Sequence, residues 1–245
     1  MKRTFALLFA VIIMLPLIAC SSNPVSDTDS DINVKEQERL ELPAGTNLSS
    51  LLYQGHASIR IVSADGVVVY VDPDSGEGYD VPADIVLITH SHGDHNNPGK
   101  IKDKQPDYTM ITWVEALESG KHNSFSIKGI EIESVEAYNG NHSIDYSVGY
   151  IITVDGVKIY AAGDTDKTNQ METLAAKEID YAFFPCDGRY NMNTALAAEC
   201  AELVGAKHNI PYHTMLGFDF AESIAEKFDA PNKLILHPGE EISLA

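Results

Sequence analysis

Residues 85–95 constrain this chain more than any others. Ile85-Val86-Leu87-Ile88-Thr89 is a short apolar run with the β-branched content of a buried strand, and it leads directly into His90-Ser91-His92-Gly93-Asp94-His95. A strand end therefore delivers three imidazoles and a carboxylate together. Alternation along an extended chain places His90 and His92 on one side, where both reach one metal ion. Gly93 is expected to permit a sharp turn, after which Asp94 and His95 face a second ion. Imidazole and carboxylate donors suit zinc foremost, with manganese and iron also accepted. The formal net charge of −19 excludes a broad basic face, so nucleic acid is not an expected partner.

The first residues read as an address. Lys2 and Arg3 precede an apolar run from Phe5 to Ala19, too short to span a bilayer comfortably and of the length of a signal-peptide core. It ends in Leu17-Ile18-Ala19-Cys20 and turns polar at Ser21-Ser22-Asn23-Pro24. This resembles the bacterial lipobox. The resemblance implies a signal peptide over residues 1–19, cleavage after Ala19, and acylation of Cys20 as a membrane anchor. Residues 20–46, rich in Ser, Asp, Asn and Glu, read as a lipid-anchored flexible tether. Loss of Lys2 and Arg3 would leave a charge of −21, so lipid, rather than a basic surface, would hold the protein to an anionic membrane. The expected location is the cell envelope, lipid-anchored and facing periplasm or exterior. Cys186 ends an apolar run and Cys200 lies in an Ala-rich helical stretch, so both are expected as buried thiols.

The remaining chain, residues 47–245, is periodic throughout and reads as one domain. Strands are expected at Ser58–Val62, Val67–Asp72, Ile85–Thr89, Tyr108–Thr112, Ile130–Val135, Gly149–Val154, Val157–Ala161, Ile179–Pro185 and Leu234–His237. Ala64-Asp65-Gly66 and Asp155-Gly156 mark tight turns between paired strands. Helices are expected at Trp113–Glu118, Met171–Lys177, Asn193–Val204 and Phe220–Phe228, with Asn193-Thr194 capping the third. The pattern is α/β: two mixed sheets with helices outside.

The His90–His95 motif resembles that of the metallo-β-lactamase-fold hydrolases, which implies a four-layer αββα sandwich. Other segments match in order: Gly55-His56-Ala57-Ser58, Val71-Asp72-Pro73, Ala161-Ala162-Gly163-Asp164-Thr165-Asp166 and Ile210-Pro211-Tyr212-His213. Ala137-Tyr138-Asn139, His142 and Val148-Gly149-Tyr150 are similar to the branch that includes ascorbate-6-phosphate lactonase-like proteins and N-acylphosphatidylethanolamine phospholipase D. Relatives often follow that histidine with Pro-Lys-Gly; here Ser143-Ile144-Asp145 stands instead, which removes a basic substrate contact.

The resemblance implies two divalent metal ions. His90, His92 and His142 would hold the first, Asp94, His95 and His213 the second, and Asp164 would bridge them with one oxygen on each. Gly163 leaves the backbone room at that point. His213 is preferred over His208 and His237 on its Pro-Tyr-His context; His122 and His208 read as surface residues. Asp72 would accept the free N–H of a ligand imidazole. His56 would line the pocket or be a satisfied core histidine. Tyr138 and Asn139 would offer a phenol and an amide to substrate, or form a β-bulge.

Two such ions share a water and lower its pKa toward neutrality, giving a bridged hydroxide as nucleophile. The expected function is metal-dependent hydrolysis of an ester, lactone, amide or phosphodiester bond in a small-molecule or lipid substrate. Asp94, His56 or a metal-bound water would protonate the leaving group. A β-lactamase proper and a nuclease fit less well. The alternatives are a non-catalytic metal-binding lipoprotein and a di-iron redox protein of the same fold.

Overall fold

The computed structural model describes residues 48–215 and 220–244. The expected signal peptide over residues 1–19, Cys20 and the whole of the expected tether over residues 20–46 lie outside these residues.

The first sheet is built from β1 (Ser50–Gly55), β2 (Ser58–Val62), β3 (Val68–Val71), β4 (Ala83–Leu87) and β5 (Lys104–Ile111). A small ribbon follows, β6 (Leu117–Glu118) with β7 (Lys121–His122). The second sheet holds β8 (Ser124–Ile127), β9 (Ile130–Glu136), β10 (Val148–Val154), β11 (Val157–Ala161), β12 (Tyr181–Pro185) and β13 (His208–Tyr212). The chain ends by returning β14 (Glu240–Ser243) to the first sheet beside β1. The strand orders are β14-β1-β2-β3-β4-β5 and β13-β12-β11-β10-β9-β8.

The core lies between these sheets. In β1 and β2, Leu51, Tyr53, Ile59 and Ile61 point inward, against Ile132, Tyr150, Ile152, Ile159 and Phe183 of the other sheet. Alternate residues of each strand thus face the space between the sheets, as extended geometry requires, and the residues between them are buried on the other face. The Asp155-Gly156 turn joins β10 to β11 with both residues at positive φ, the conformation a two-residue hairpin needs.

The outer layers are thin. α1 (Trp113–Ala116), α2 (Met171–Leu174) and α4 (Glu222–Ala225) are single turns, and only α3 (Thr194–Val204) is longer among the described residues. α3 starts where Asn193 accepts from the Leu196 N–H and ends at left-handed Gly205. It buries Ala197, Cys200, Ala201 and Val204 against Phe184 and Tyr160. Cys186 and Cys200 are free, buried thiols, as expected. Over the first sheet the cover is a strap, residues 72–82. Tyr79 stacks on Tyr70 at 5.6 Å, and Ser58 Oγ accepts from the N–H groups of Asp74 and Ser75.

Several boundaries differ from expectation. Leu117–Glu118 leaves the first helix to pair with Lys121–His122. Leu234–His237 is no strand; only an isolated bridge at Lys233 to Asn209 forms there. The pairing partner of β1 is the more polar Glu240–Ser243, where the edge needs backbone bonds and little burial.

Strand direction positions the site. β2 runs antiparallel to both β1 and β3, and β4 runs parallel to β3. β1, β3 and β4 therefore end at one edge of their sheet. β9, β11, β12 and β13 do the same in theirs, through antiparallel β10 and the parallel β11–β12–β13 set. The two edges are tied together: the His213 N–H and the Tyr53 hydroxyl both donate to the His56 carbonyl, and the Val148 N–H donates to the Thr89 carbonyl.

Candidate metal centre

Each predicted donor follows a strand end. His56 follows β1, Asp72 follows β3, His90–His95 follow β4, His142 follows β9, Asp164 follows β11 and His213 follows β13. His56, Asp72 and His213 adopt left-handed φ values of 49°, 44° and 46°. Such a conformation costs about 1–3 kcal/mol per residue, and it persists only where surrounding contacts impose it. Here it turns each side chain from its strand into the space between the sheets.

The donors gather in two sets that share Asp164. In the first, His90 Nε2 and His142 Nε2 each lie 3.1 Å from His92 Nδ1. Hydrogen bonds fix the protons here. His142 Nδ1 faces Asn139 Oδ1 at 2.9 Å, an acceptor, so the proton sits on Nδ1 and Nε2 presents a lone pair. The Thr89 hydroxyl gives its proton to Asp72, so it accepts from His90 Nδ1, and His90 Nε2 is likewise a lone pair. Lone pairs this close repel unless a cation lies between them. Nitrogens about 2.0–2.1 Å from a tetrahedral zinc would have this mutual spacing.

In the second set, His95 Nε2 and His213 Nε2 lie 3.3 and 3.5 Å from Asp164 Oδ1. All three atoms are buried and lack a hydrogen-bond partner. Buried polar atoms without partners are rare, and their convergence is what a metal ion would satisfy. Asp164 Oδ2 faces the first set, 3.4 Å from His142 Nε2, so the carboxylate presents one oxygen to each. Asp94 completes the second set. The residues thus fit two divalent ions.

Electrostatics prepares these donors. Burial drives the His90 imidazole down to about 2, and burial also lowers His142, so both are neutral ligands at physiological pH. Burial opposes protonation of His95, but the carboxylates of Asp164 and Asp72 outweigh it and hold the imidazole up at about 9. A hydrogen bond from His56 keeps the Asp94 carboxyl well below the usual carboxylate range.

Asp72 stands on a ligand imidazole. It takes the His95 Nδ1 proton at 2.7 Å and also accepts from the Thr89 N–H and hydroxyl. Asp187 stands beside His213 at ion-pair distance, with Oδ2 3.1 Å from Nδ1. Asp187 was not singled out in the sequence; its signal was a carboxylate one residue beyond the buried run that ends at Cys186.

Four expectations change. Tyr138 and Asn139 do not line the cavity. The backbone N–H of Tyr138 donates to the Thr165 hydroxyl, and Asn139 spends its amide on His142, Tyr190 and Asn191. The groups at the cavity are Asn141 and Tyr190 instead. His56 is fully enclosed behind Asp94, its ring 3.7 Å from that of His213, and it orients Asp94. Asp94, held ionised, cannot supply a proton near neutrality. Gly93 has no positive φ, and a Cβ there would meet nothing within 4 Å, so the turn does not require it.

Gly163 is the glycine that matters: at φ 68° a Cβ would lie 2.9 Å from the Val148 carbonyl oxygen. The remaining histidines stand apart. His122 approaches Ser134, His208 stacks on Tyr181, and exposed His237 pairs with Glu222 and Glu240.

A cavity of about 400 Å³ opens over the donors, lined by His92, Asp94, His142, Asp164 and His213 with Asn141 and Tyr190. Sheets, strand-end donors and shared carboxylate define a metal-dependent hydrolase of the metallo-β-lactamase superfamily. Residues 50–213 match the beta-lactamase superfamily domain. A UPF0173 metal-dependent hydrolase of Thermococcus onnurineus is 29% identical over 78% of this chain and 98% of its own length. One from Pyrococcus furiosus is 31% identical over 66% of this chain and 81% of its own. A crystal structure assigned as a metal-dependent hydrolase from Parabacteroides distasonis superposes with a TM-score of 0.62 at 30% identity, covering 75% of this chain and 90% of that one. The chain belongs to the UPF0173 metal-dependent hydrolase family.

Proposed function

We propose that this hydrolase cleaves an uncharged ester, lactone or amide at the cell envelope. The carrying observation is the cavity wall: among the described residues it has no lysine or arginine, while two carboxylates, Asp94 and Asp164, face it. An anionic phosphodiester would meet no counter-charge from the protein there. Ser143-Ile144-Asp145, standing where relatives often carry Pro-Lys-Gly, likewise leaves no basic contact for an anionic substrate.

When bound, the two ions supply a water of lowered pKa and a positive charge for the developing oxyanion. The protein does the rest. His90 and His142 present neutral nitrogens, Asp164 spans both sets, and Asp94 stands at the cavity as an ionised acceptor for a water proton. The Tyr190 phenol and Asn141 amide are donors placed to orient a carbonyl oxygen. Leu17-Ile18-Ala19-Cys20 supports a lipid anchor that holds the domain near membrane-derived substrates.

A chromogenic panel of esters, lactones, amides and phosphodiesters, run with zinc, manganese and iron, tests the reading. Turnover is expected on carbonyl substrates, and His92→Ala and Asp164→Ala should each lower it by at least about a hundredfold. Preference for phosphodiesters would overturn the substrate class. Metal uptake without turnover would favour the non-catalytic lipoprotein, and peroxide turnover with iron the redox protein. Cys20→Ala should move the protein from the membrane to the soluble fraction; unchanged fractionation would remove the anchor.

A further inference from the structure

We infer that Asn191 is a positioning residue that sets one ligand of each metal set through a single hydrogen-bond chain. The inference rests on the two-metal reading of the site.

The chain is continuous and made of side chains. His142 Nδ1 donates to Asn139 Oδ1 at 2.9 Å, and Asn139 Nδ2 donates to Asn191 Oδ1 at 2.9 Å. Asn191 Nδ2 donates to Asp187 Oδ2 at 2.7 Å, and that carboxylate reaches the second set by an ion-pair contact, its Oδ2 3.1 Å from His213 Nδ1. It runs from a ligand of the first set to a ligand of the second without crossing the cavity.

Its polarity is determined from the Asp187 end. A carboxylate only accepts, so Asn191 must present its NH₂ group to Asp187 and its carbonyl oxygen to Asn139. Asn139 must then turn its own NH₂ toward Asn191 and its oxygen toward His142. That oxygen holds the His142 proton on Nδ1 and leaves Nε2 for metal. At the other end the Asp187 carboxylate faces His213 Nδ1 at ion-pair distance. Inverting Asn191 would set oxygen against oxygen at Asp187, and inverting Asn139 would set donor against donor at His142.

The segment carrying Asn191 is shaped by the same carboxylate. Asp187 Oδ1 accepts from the N–H groups of Arg189 and Tyr190 at 2.7 Å and of Asn191 at 3.3 Å. Asn139 and Asn141 both donate to the Tyr190 carbonyl, which fastens this turn to the segment that carries His142. Asn191 is 7% exposed, so water does not readily substitute for either of its bonds.

Zinc titration of the metal-stripped full chain against a chromophoric chelator tests the inference, with Asn191→Ala and the near-isosteric Asn191→Asp compared with wild type. Partners of metal-bound histidines typically contribute about 10–100-fold in affinity. Both variants should therefore weaken both binding steps by about tenfold or more, with far-UV circular dichroism unchanged. In zinc-loaded, ¹⁵N-histidine-labelled protein, the Nδ1–H signals of His142 and His213 should shift or broaden together in each variant. Weakening of one step alone, or wild-type affinities and signals in both variants, would overturn the role of Asn191 and leave the two-metal reading intact. A wild-type chain that binds no zinc would overturn both.

Discussion

At the scale of single residues, His95 carries the clearest consequence. Its imidazole is enclosed yet held up at about 9 by Asp164 and Asp72, so it is protonated in the metal-free protein at pH 7.5. A ligand nitrogen must be deprotonated, so metal binding displaces that proton. Calorimetric zinc titration in two buffers of different ionisation heat should show about one proton released by His95 at pH 7.5, vanishing above the folded value of about 9. The linkage to stability follows the sign of the shift. Because the folded value is raised, the metal-free protein holds this contribution below the ordinary histidine value of 6.5 and loses it as pH rises through about 9. The His90–His95 motif made the donors legible in the sequence. The role of Asn139 was not legible: its amide reads as a substrate contact or as part of a β-bulge, and its bond to His142 appears only in the folded segment.

At the scale of elements, the turns after strands decide the geometry. Gly93 and Gly163 both sit beside ligands; in the sequence Gly93 reads as permitting a sharp turn and Gly163 as leaving the backbone room. The structure separates them. Gly163→Ala forces a side chain into left-handed backbone, about 1–2 kcal/mol, and against the Val148 carbonyl. Gly93→Ala should stay within about 0.5 kcal/mol of wild type. Urea denaturation of the two variants checks this, and equal losses would refute it. Strands with strong alternation or β-branched content, such as Ser58–Val62 and Ile130–Val135, were legible almost residue by residue. Ser124–Ile127 was not, since it gains its place from β9 rather than from its own pattern. Two of the four expected helices, at Trp113–Glu118 and Phe220–Phe228, shrank to single turns because they cover only a few apolar side chains, while Met171–Lys177 is helical throughout and ends as a 3-10 turn over Ala175–Lys177.

At the scale of the whole molecule, the metal centre is also a clasp. Its donors come from both sheets, His90 and His95 from one and His142, Asp164 and His213 from the other. Ions bound there would bind the folded state and stabilise it by mass action. At a hundredfold excess over Kd, each site adds about 2.7 kcal/mol, which for a domain this size raises Tm by on the order of 10 °C for the pair. Scanning calorimetry before and after chelation measures it; an unchanged Tm on verified metal removal would show that the sheets hold together without the ions.

The sequence by itself determined the donor types, the strands that carry most of them and the sandwich they build. These depend on local chemistry: alternation, turn residues and a dense histidine–aspartate motif. Tertiary structure alone decided which groups reach the cavity and which brace the ligands. Tyr190 and Asn191 lie about 50 residues from Asn139 and become its partners only when β12 is packed in the same sheet as β9. A hydrogen bond acts over about 3 Å, and separation along the chain carries no information at that range.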